Sequence, residues 1–184
     1  METTRLILRE YTQDDLESIH QYSGDPEVLR YMLWGPNSRN DTLEFIEMCI
    51  NESTEKPRRI YNFAIQLKET GELIGGISLS LHHDEGEIGW ILNKRFWRQS
   101  YGTEAAQAMI RFGFESLNLN TITATCDAEN TGSYRIMIKC GMTQTAFQVE
   151  TRLSSYFGSM RDQRVFEISR AMYLDNQSLT SKAG

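Results

Sequence analysis

The sequence predicts an α/β protein with an α+β-type mixed sheet, about seven strands flanked by helices. Three observations carry that prediction. Residues 61–93 alternate apolar and polar side chains in three short runs separated by turns, the period of half-buried antiparallel strands. Residues 102–117 change to helical spacing, and residues 121–127 change back. A strand–helix–strand connection of that kind is a right-handed crossover between parallel strands. The sheet should therefore be antiparallel at its start and parallel in its middle.

The elements follow in order. Residues 5–11 alternate weakly and read as a first strand. Thr12 reads as an N-cap with Asp15 three positions on, ahead of Leu16 and Ile19. Asp25-Pro26 is a second helix start, with the aspartate as cap and proline at the first helical position. Residues 40–54 place Leu43, Ile46 and Ile50 on one helical face, with Phe45 and Cys49 beside them. Residues 61–68, 73–81 and 87–93 are the three strands of the meander, turned at Glu69–Glu72 and Asp84–Gly86. The helix of 102–117 spreads its apolar residues around much of its surface, so it should pack on more than one side. Residues 131–140 are helical, and Gly141 is the expected C′ stop. Strands follow near 142–153 and 163–173. The polar run 175–184 reads as a frayed tail behind a single domain of residues 1–174.

Composition narrows the functions. The net charge of −6 weighs against general nucleic-acid binding. The start METTRLILRE holds no apolar leader core, and no apolar run approaches the ~18 residues of a membrane span. Cys49, Cys126 and Cys140 are odd in number, lack a CxxC and sit in apolar patterns, as buried thiols in a reducing compartment do. A soluble cytoplasmic protein is expected. His82-His83-Asp84-Glu85 holds metal-ligand types, but neighbouring strand residues point to opposite faces, so no metal site is expected. Lys56-Pro57-Arg58-Arg59 reads as a solvated basic run.

The chemistry concentrates at FWRQSYGTEAAQAMIRFGFESL, residues 96–117. A helix that starts directly after a strand presents unpaired N–H groups and a positive dipole end, which suits an anion. The same loop also reads as a plain strand-to-helix turn. On the strand before it, Glu87, Gly89 and Ile91 share one face, and Gly89 leaves open space beside Glu87. Glu87 is a candidate base or a solvated carboxylate at a strand start. Asn130 opens the next helix as its N-cap, with Ser133 one turn on. Trp34 lines a pocket or caps the core.

Ile88, Gly89, Trp90, Leu92, Trp97, Tyr101, Thr103, Glu104 and Ala105, followed by Phe112, Phe114, Leu117, Leu119, Asn130, Ser133, Arg135, Lys139 and Gly141, occur at a joint spacing that is specific. This run resembles the acetyl-CoA-binding half of the GNAT N-acetyltransferases, most of all the RimJ/RimL-like branch of ribosomal-protein N-terminal acetyltransferases. TRLILREYTQDDL near the start and Gly158–Asp162 before the last strand extend the resemblance over about residues 3–173. It implies a GNAT-like acyl-CoA N-acyltransferase fold and acetyl transfer from acetyl-CoA to an amine, a protein N-terminus or a small molecule, by direct attack and without a metal. It implies that Arg98, Gln99, Ser100, Tyr101, Gly102 and Thr103 cradle the pyrophosphate, and that backbone N–H groups near Ile91 and Leu92 meet the thioester. It also implies that Asn130 contacts the cofactor arm, Ser133 protonates the sulfur, and the loop holding Trp34 borders the acceptor. Many members carry a tyrosine acid where Met137 stands, with Tyr134 nearby as a substitute. Glu104 is read as a helix-start carboxylate rather than a catalytic one. The family suggests a homodimer. The departure is in the phosphate loop, where the family has glycines at the positions of Arg98 and Ser100. That departure motivates a second reading, a CoA-binding protein that no longer catalyses. A third is an interaction module that keeps the fold without a ligand.

Overall fold

The computed structural model describes residues 1–154 and 156–181. The chain opens with β1 (Leu6–Arg9), a 3-10 turn at Gln13–Asp15, then α1 (Leu16–Ser23), α2 (Pro26–Leu29) and α3 (Arg39–Thr54). The meander is β2 (Ile60–Leu67), β3 (Leu73–His82) and β4 (Glu85–Leu92). A 3-10 turn at Lys94–Phe96 leads to α4 (Tyr101–Glu115), β5 (Thr121–Asp127), α5 (Thr131–Lys139), β6 (Thr143–Leu153), β7 (Met160–Ser169) and α6 (Arg170–Ser181).

The seven strands form one sheet in the order β1-β2-β3-β4-β5-β7-β6. Every neighbour is antiparallel except β4 and β5, which α4 joins as the expected crossover. That parallel pairing is short. Glu85, Gly86 and Glu87 pair with Thr121, Ile122 and Thr123, and then the two strands part. The gap that opens past Glu87 positions the site.

Local signals set the helix starts. The Thr12 N–H donates to Asp15 Oδ2 at 2.8 Å, while Arg9 grips the same carboxylate at 2.7 and 2.8 Å. The Asp25 side chain accepts from the Glu27 N–H at 2.9 Å ahead of Pro26. The start of α3 lies at Arg39, where Ser38 and Asp41 form a reciprocal capping box.

The apolar residues divide across the sheet. On one face Leu8, Ile65, Leu79, Ile88, Met109, Phe114 and Ile122 form the larger core beneath α4. On the other, Tyr11, Ile19, Tyr22, Ile46 and Cys49 pack between α1, α3 and the sheet. Buried residues of α4 include Gly102, Ala105, Ala106, Met109, Ile110 and Phe114, a spread wider than one stripe, as the sequence predicts.

The C-terminal end differs from expectation. The last strand stops at Ser169 rather than near residue 173, and residues 170–181 form α6 instead of a strand end and frayed tail; residues 182–184 lie outside the described residues. The cause is local and specific. The Ser169 hydroxyl accepts from the Met172 N–H at 3.3 Å as a helix cap. Tyr173, 8% exposed, packs against the Phe114 ring at 4.9 Å and donates its hydroxyl to Glu115 at 2.6 Å. Gly141 has φ +79°, the left-handed stop expected behind α5.

Candidate active site

The loop-to-helix corner comes first. Arg98 and Ser100 both hold positive φ, 61° and 64°. They are the two positions where glycine was expected, and the backbone keeps a glycine-like shape without it. The corner is tied on both sides. The Trp97 indole donates to the Leu92 carbonyl at 2.9 Å. The Arg5 guanidinium donates to the Gln99 carbonyl at 3.1 Å, stacks 4.3 Å from the centre of the Tyr101 ring and pairs with Glu104 at 2.7 Å.

Glu104 also accepts from the Thr3 hydroxyl and the Arg5 N–H, at 2.6 and 2.8 Å. It is therefore a structural tie to the first strand. Burial alone would raise its pKa, but the hydrogen bonds from Thr3 and Arg5 outweigh that and hold it below its ordinary value.

The first bond of the α4 ladder runs from the Glu104 N–H to the Ser100 carbonyl, 3.0 Å. The N–H groups of Tyr101, Gly102 and Thr103 precede it, and among the described residues none has a partner. They face out of the helix N-terminus as a donor cluster. Gly102 has a packing role as well. A Cβ there would sit 2.8 Å from Ile136 Cδ1 and 3.3 Å from Leu92 Cδ1, so glycine lets α4 approach β4 and α5 closely.

A second donor row lies in the gap between β4 and β5. The Asn93 N–H donates to the Ile74 carbonyl at 2.9 Å, so alternation along β4 sends the Ile91 N–H toward β3 as well. The N–H groups of Trp90 and Leu92 face the gap, where β5 no longer pairs. This corrects the expectation for Ile91. Its N–H belongs to the sheet, its side chain lines a cavity on the α1/α3 face, and Trp90 takes its place as a donor.

A cavity of about 240 Å³ opens beside this gap. Glu87, Asn130, Ser133 and Trp34 all line it, so four expected residues from distant segments meet in one place. Glu87 is exposed and accepts a long contact from the Thr125 hydroxyl at 3.4 Å. A Cβ on Gly89 would meet only Ser78 Oγ, at 3.3 Å, which leaves the space beside Glu87 open. Asn130 Oδ1 caps α5 through the Ser133 N–H at 3.1 Å, and it faces the cavity as well. Met137 is buried at the cavity wall. Tyr134 lies one position around the helix with Arg164 over its ring at 5.0 Å, and it is not among the residues lining the cavity.

Three parts of the site were not read from the sequence. Asp127, 2% exposed, is gripped by Arg161 at 3.0 and 3.1 Å, and its carbonyl accepts the Asn130 N–H at 2.9 Å. The pair fixes the start of α5. Arg152 on β6 lines the small cavity and donates to the Tyr31 carbonyl at 2.9 Å. The third part is an adjoining cavity of about 440 Å³ under α1 and α3. Tyr11, Tyr22, Met32, Trp34, Phe45 and Met48 are among its lining residues. Trp34, 40% exposed, borders both cavities. Among the described residues the buried Trp90 indole N–H has no hydrogen-bond partner, and the buried Tyr22 hydroxyl lies against that of Tyr11. Burial pushes the Tyr11 and Tyr22 phenols well above 10. The signal for the aromatic pocket was the run of Tyr11, Tyr22, Trp34 and Phe45 across the first helices.

The thiols offer no nucleophile. Burial pushes Cys126 up to about 11, and Cys49 and Cys140 up to about 12, and all three are free. Among the described residues no group of three or more His, Cys, Asp or Glu could hold a metal ion, and no helix is long and apolar enough to cross a membrane.

A mixed sheet that parts between two parallel strands, a donor row along that gap, a helix N-terminus at its end and an acceptor-sized cavity beside it define an acyl-transfer protein. The chain belongs to the GNAT acetyltransferases: the family model described as "Acetyltransferase (GNAT) domain" matches residues 5–143. An uncharacterized N-acetyltransferase of Bacillus subtilis (strain 168), YnaD, is 35% identical over 147 residues, covering 79% of this chain and 83% of that one. Among solved structures, a GNAT-family acetyltransferase from Bacillus anthracis superposes with a TM-score of 0.81 at 29% identity, covering 92% of this chain and 97% of that one. A putative ribosomal-protein-serine acetyltransferase from Vibrio cholerae superposes with a TM-score of 0.75 at 26% identity, covering 91% and 95%.

Proposed function

We propose that the protein moves an acetyl group from acetyl-CoA to a primary amine by direct attack, in the RimJ/RimL-like branch of the family and in the cytoplasm. The observation that carries the reading is the meeting of two donor sets with one cavity. The unpaired N–H groups of Tyr101, Gly102 and Thr103, with Arg98, Gln99 and Ser100 around them, suit a pyrophosphate. The N–H groups of Trp90 and Leu92 lie where a thioester oxygen would gain negative charge, and fixed donors there stabilise the transition state. Asn130 borders the same path.

The step balances without a cofactor other than the acetyl donor. Glu87, directly or through one water, takes a proton from the acceptor ammonium and passes it to solvent at the open mouth of the cavity. The freed nitrogen forms the N–C bond as the C–S bond breaks, and it then gives up its second proton to solvent at the cavity mouth to leave the neutral amide. Ser133 gives its hydroxyl proton to the departing thiolate and recovers one from solvent. Three free cysteines, Cys49 and Cys126 buried and Cys140 partly so, suit a reducing compartment. The Vibrio cholerae neighbour supports the branch, but a fold does not fix its acceptor.

A CoA-binding protein without activity is the second reading, motivated by Arg98 and Ser100. Their positive φ values favour a loop that still presents its donors. Calorimetric titration with acetyl-CoA, then thiol release against amines and peptide N-termini, separates the two. Binding with turnover that falls about 10²- to 10⁴-fold in Glu87→Gln supports the enzyme. Binding without turnover on any amine supports the second reading, and absence of binding at millimolar acetyl-CoA refutes both.

A further inference from the structure

Arg152 is the unexplained charge in the site. Its guanidinium is half-buried, and burial lowers its pKa. Its hydrogen bonds go to neutral oxygens, the Tyr31 carbonyl at 2.9 Å and Gln163 Oε1 at 3.2 Å. Among the described residues no carboxylate lies within ion-pair distance of it. The carboxylates near enough to favour its charge are Asp127, which is spent on Arg161, and Glu87 across the cavity. Buried charges are normally paired. A guanidinium has five N–H donors in a planar fork that matches a carboxylate, and most of these remain for a ligand.

The cavity thus offers a carboxylate for an amine and a guanidinium for a carboxylate. The adjoining cavity of about 440 Å³ is lined by five aromatic side chains and two methionines among aliphatic and small polar ones, and it shares Trp34 and Gly89 with the smaller one. Among the described residues the buried Trp90 indole N–H, which borders both cavities, has no hydrogen-bond partner, and it marks a place for an occupant's polar atom.

We propose that the acceptor is a free α-amino acid with a bulky apolar side chain. Its amine faces Glu87, its carboxylate is held by Arg152 and its side chain fills the aromatic cavity. A peptide N-terminus lacks the α-carboxylate, and a polyamine would meet the Arg152 charge. The proposal rests on the acetyl-transfer reading only for the fate of the bound amine; binding is separate from it.

The test is calorimetric titration of the full chain, with CoA present, using L-tryptophan, L-tyrosine, L-phenylalanine and L-methionine, each against its decarboxylated amine. The amino acids should bind about 10- to 100-fold tighter than the amines, the worth of a charge-assisted hydrogen-bonded pair. Arg152→Gln keeps a donor for the Tyr31 carbonyl but no charge, and should erase that preference while leaving the melting temperature and CoA binding near wild type. Arg152→Lys should keep part of it. Equal binding of acids and amines, no binding of either, or an undiminished preference in Arg152→Gln would overturn the proposal. Thiol release is read in parallel. Amino acids that bind without thiol release refute acetyl transfer and leave this site standing; turnover that ignores the carboxylate does the reverse.

Discussion

Replacing Arg98 and Ser100 together by glycine should stabilise the protein. Both residues hold left-handed backbone, Arg98 at φ 61° and Ser100 at φ 64° with ψ 7°. That conformation costs a residue with a Cβ about 1–2 kcal/mol. Glycine removes this strain but loses more chain entropy on folding, about 0.5–1 kcal/mol. The net gain is about 0.5–1 kcal/mol at each position and about 1–2 kcal/mol for the pair. Neither side chain makes a hydrogen bond or ion pair among the described residues, so little is lost in return. For a chain of this size, melting should rise by about 2–8 °C in calorimetry, with urea denaturation giving the same sign. Acetyl-CoA should still bind, because the donors of α4 keep their places, and its salt dependence should weaken with the loss of the Arg98 charge. A lower melting temperature at unchanged urea slope would refute the strain argument.

Tyr173→Phe removes the donor to Glu115 and should cost about 1–2 kcal/mol in urea denaturation, a loss that a frayed tail would not show. Asp127→Asn breaks the pair with Arg161, which is 18% exposed on its own side, and should cost about 2–3 kcal/mol; it should also lower turnover, because Asn130 hangs from the same segment. The pKa of Glu104 is depressed in the folded state, so its contribution is present above its unfolded value of about 4.5 and is lost as pH falls through the lowered folded value. Glu104→Gln should therefore flatten the decline in melting temperature below pH about 4.5, while at pH 7 it is less stable than wild type.

The sheet was legible because its signals are local. Alternation located β2 to β4, and the helix between β4 and β5 located the crossover. The ends were less legible for physical reasons. Residues 170–181 are mostly polar, and their helix depends on Tyr173 reaching Phe114, a contact that period alone does not reveal. The donor assignment along β4 missed by one residue because ladder parity depends on the pairing of β3 with β4. Glu87, Asn130, Ser133 and Trp34 were found one by one, and the structure brings them to one cavity. Arg152 carried no signal in the sequence, because a charged residue in an outer strand reads as solvated until the loop holding Tyr31 is seen to cover it.

The two halves of the site are built from different material, and that explains why one survives altered residues and the other does not announce its ligand. The half proposed to face the acetyl donor is backbone: N–H groups of β4 and of the first turn of α4, aimed by where strands part and a helix begins. Such donors need only φ and ψ, so Arg98 and Ser100 can stand where glycine was expected if the loop pays their strain. Arg5, Glu104 and Trp97 supply the ties that hold it there. The half proposed to face the acceptor is made of side chains from α1, α3, the loop of Trp34, β4 and β6. Its shape and charge depend on identities far apart in the chain, so one replacement such as Arg152→Gln can change the substrate without disturbing the donor side. Specificity in this protein should therefore move with the residues of the two cavities and not with those of the corner.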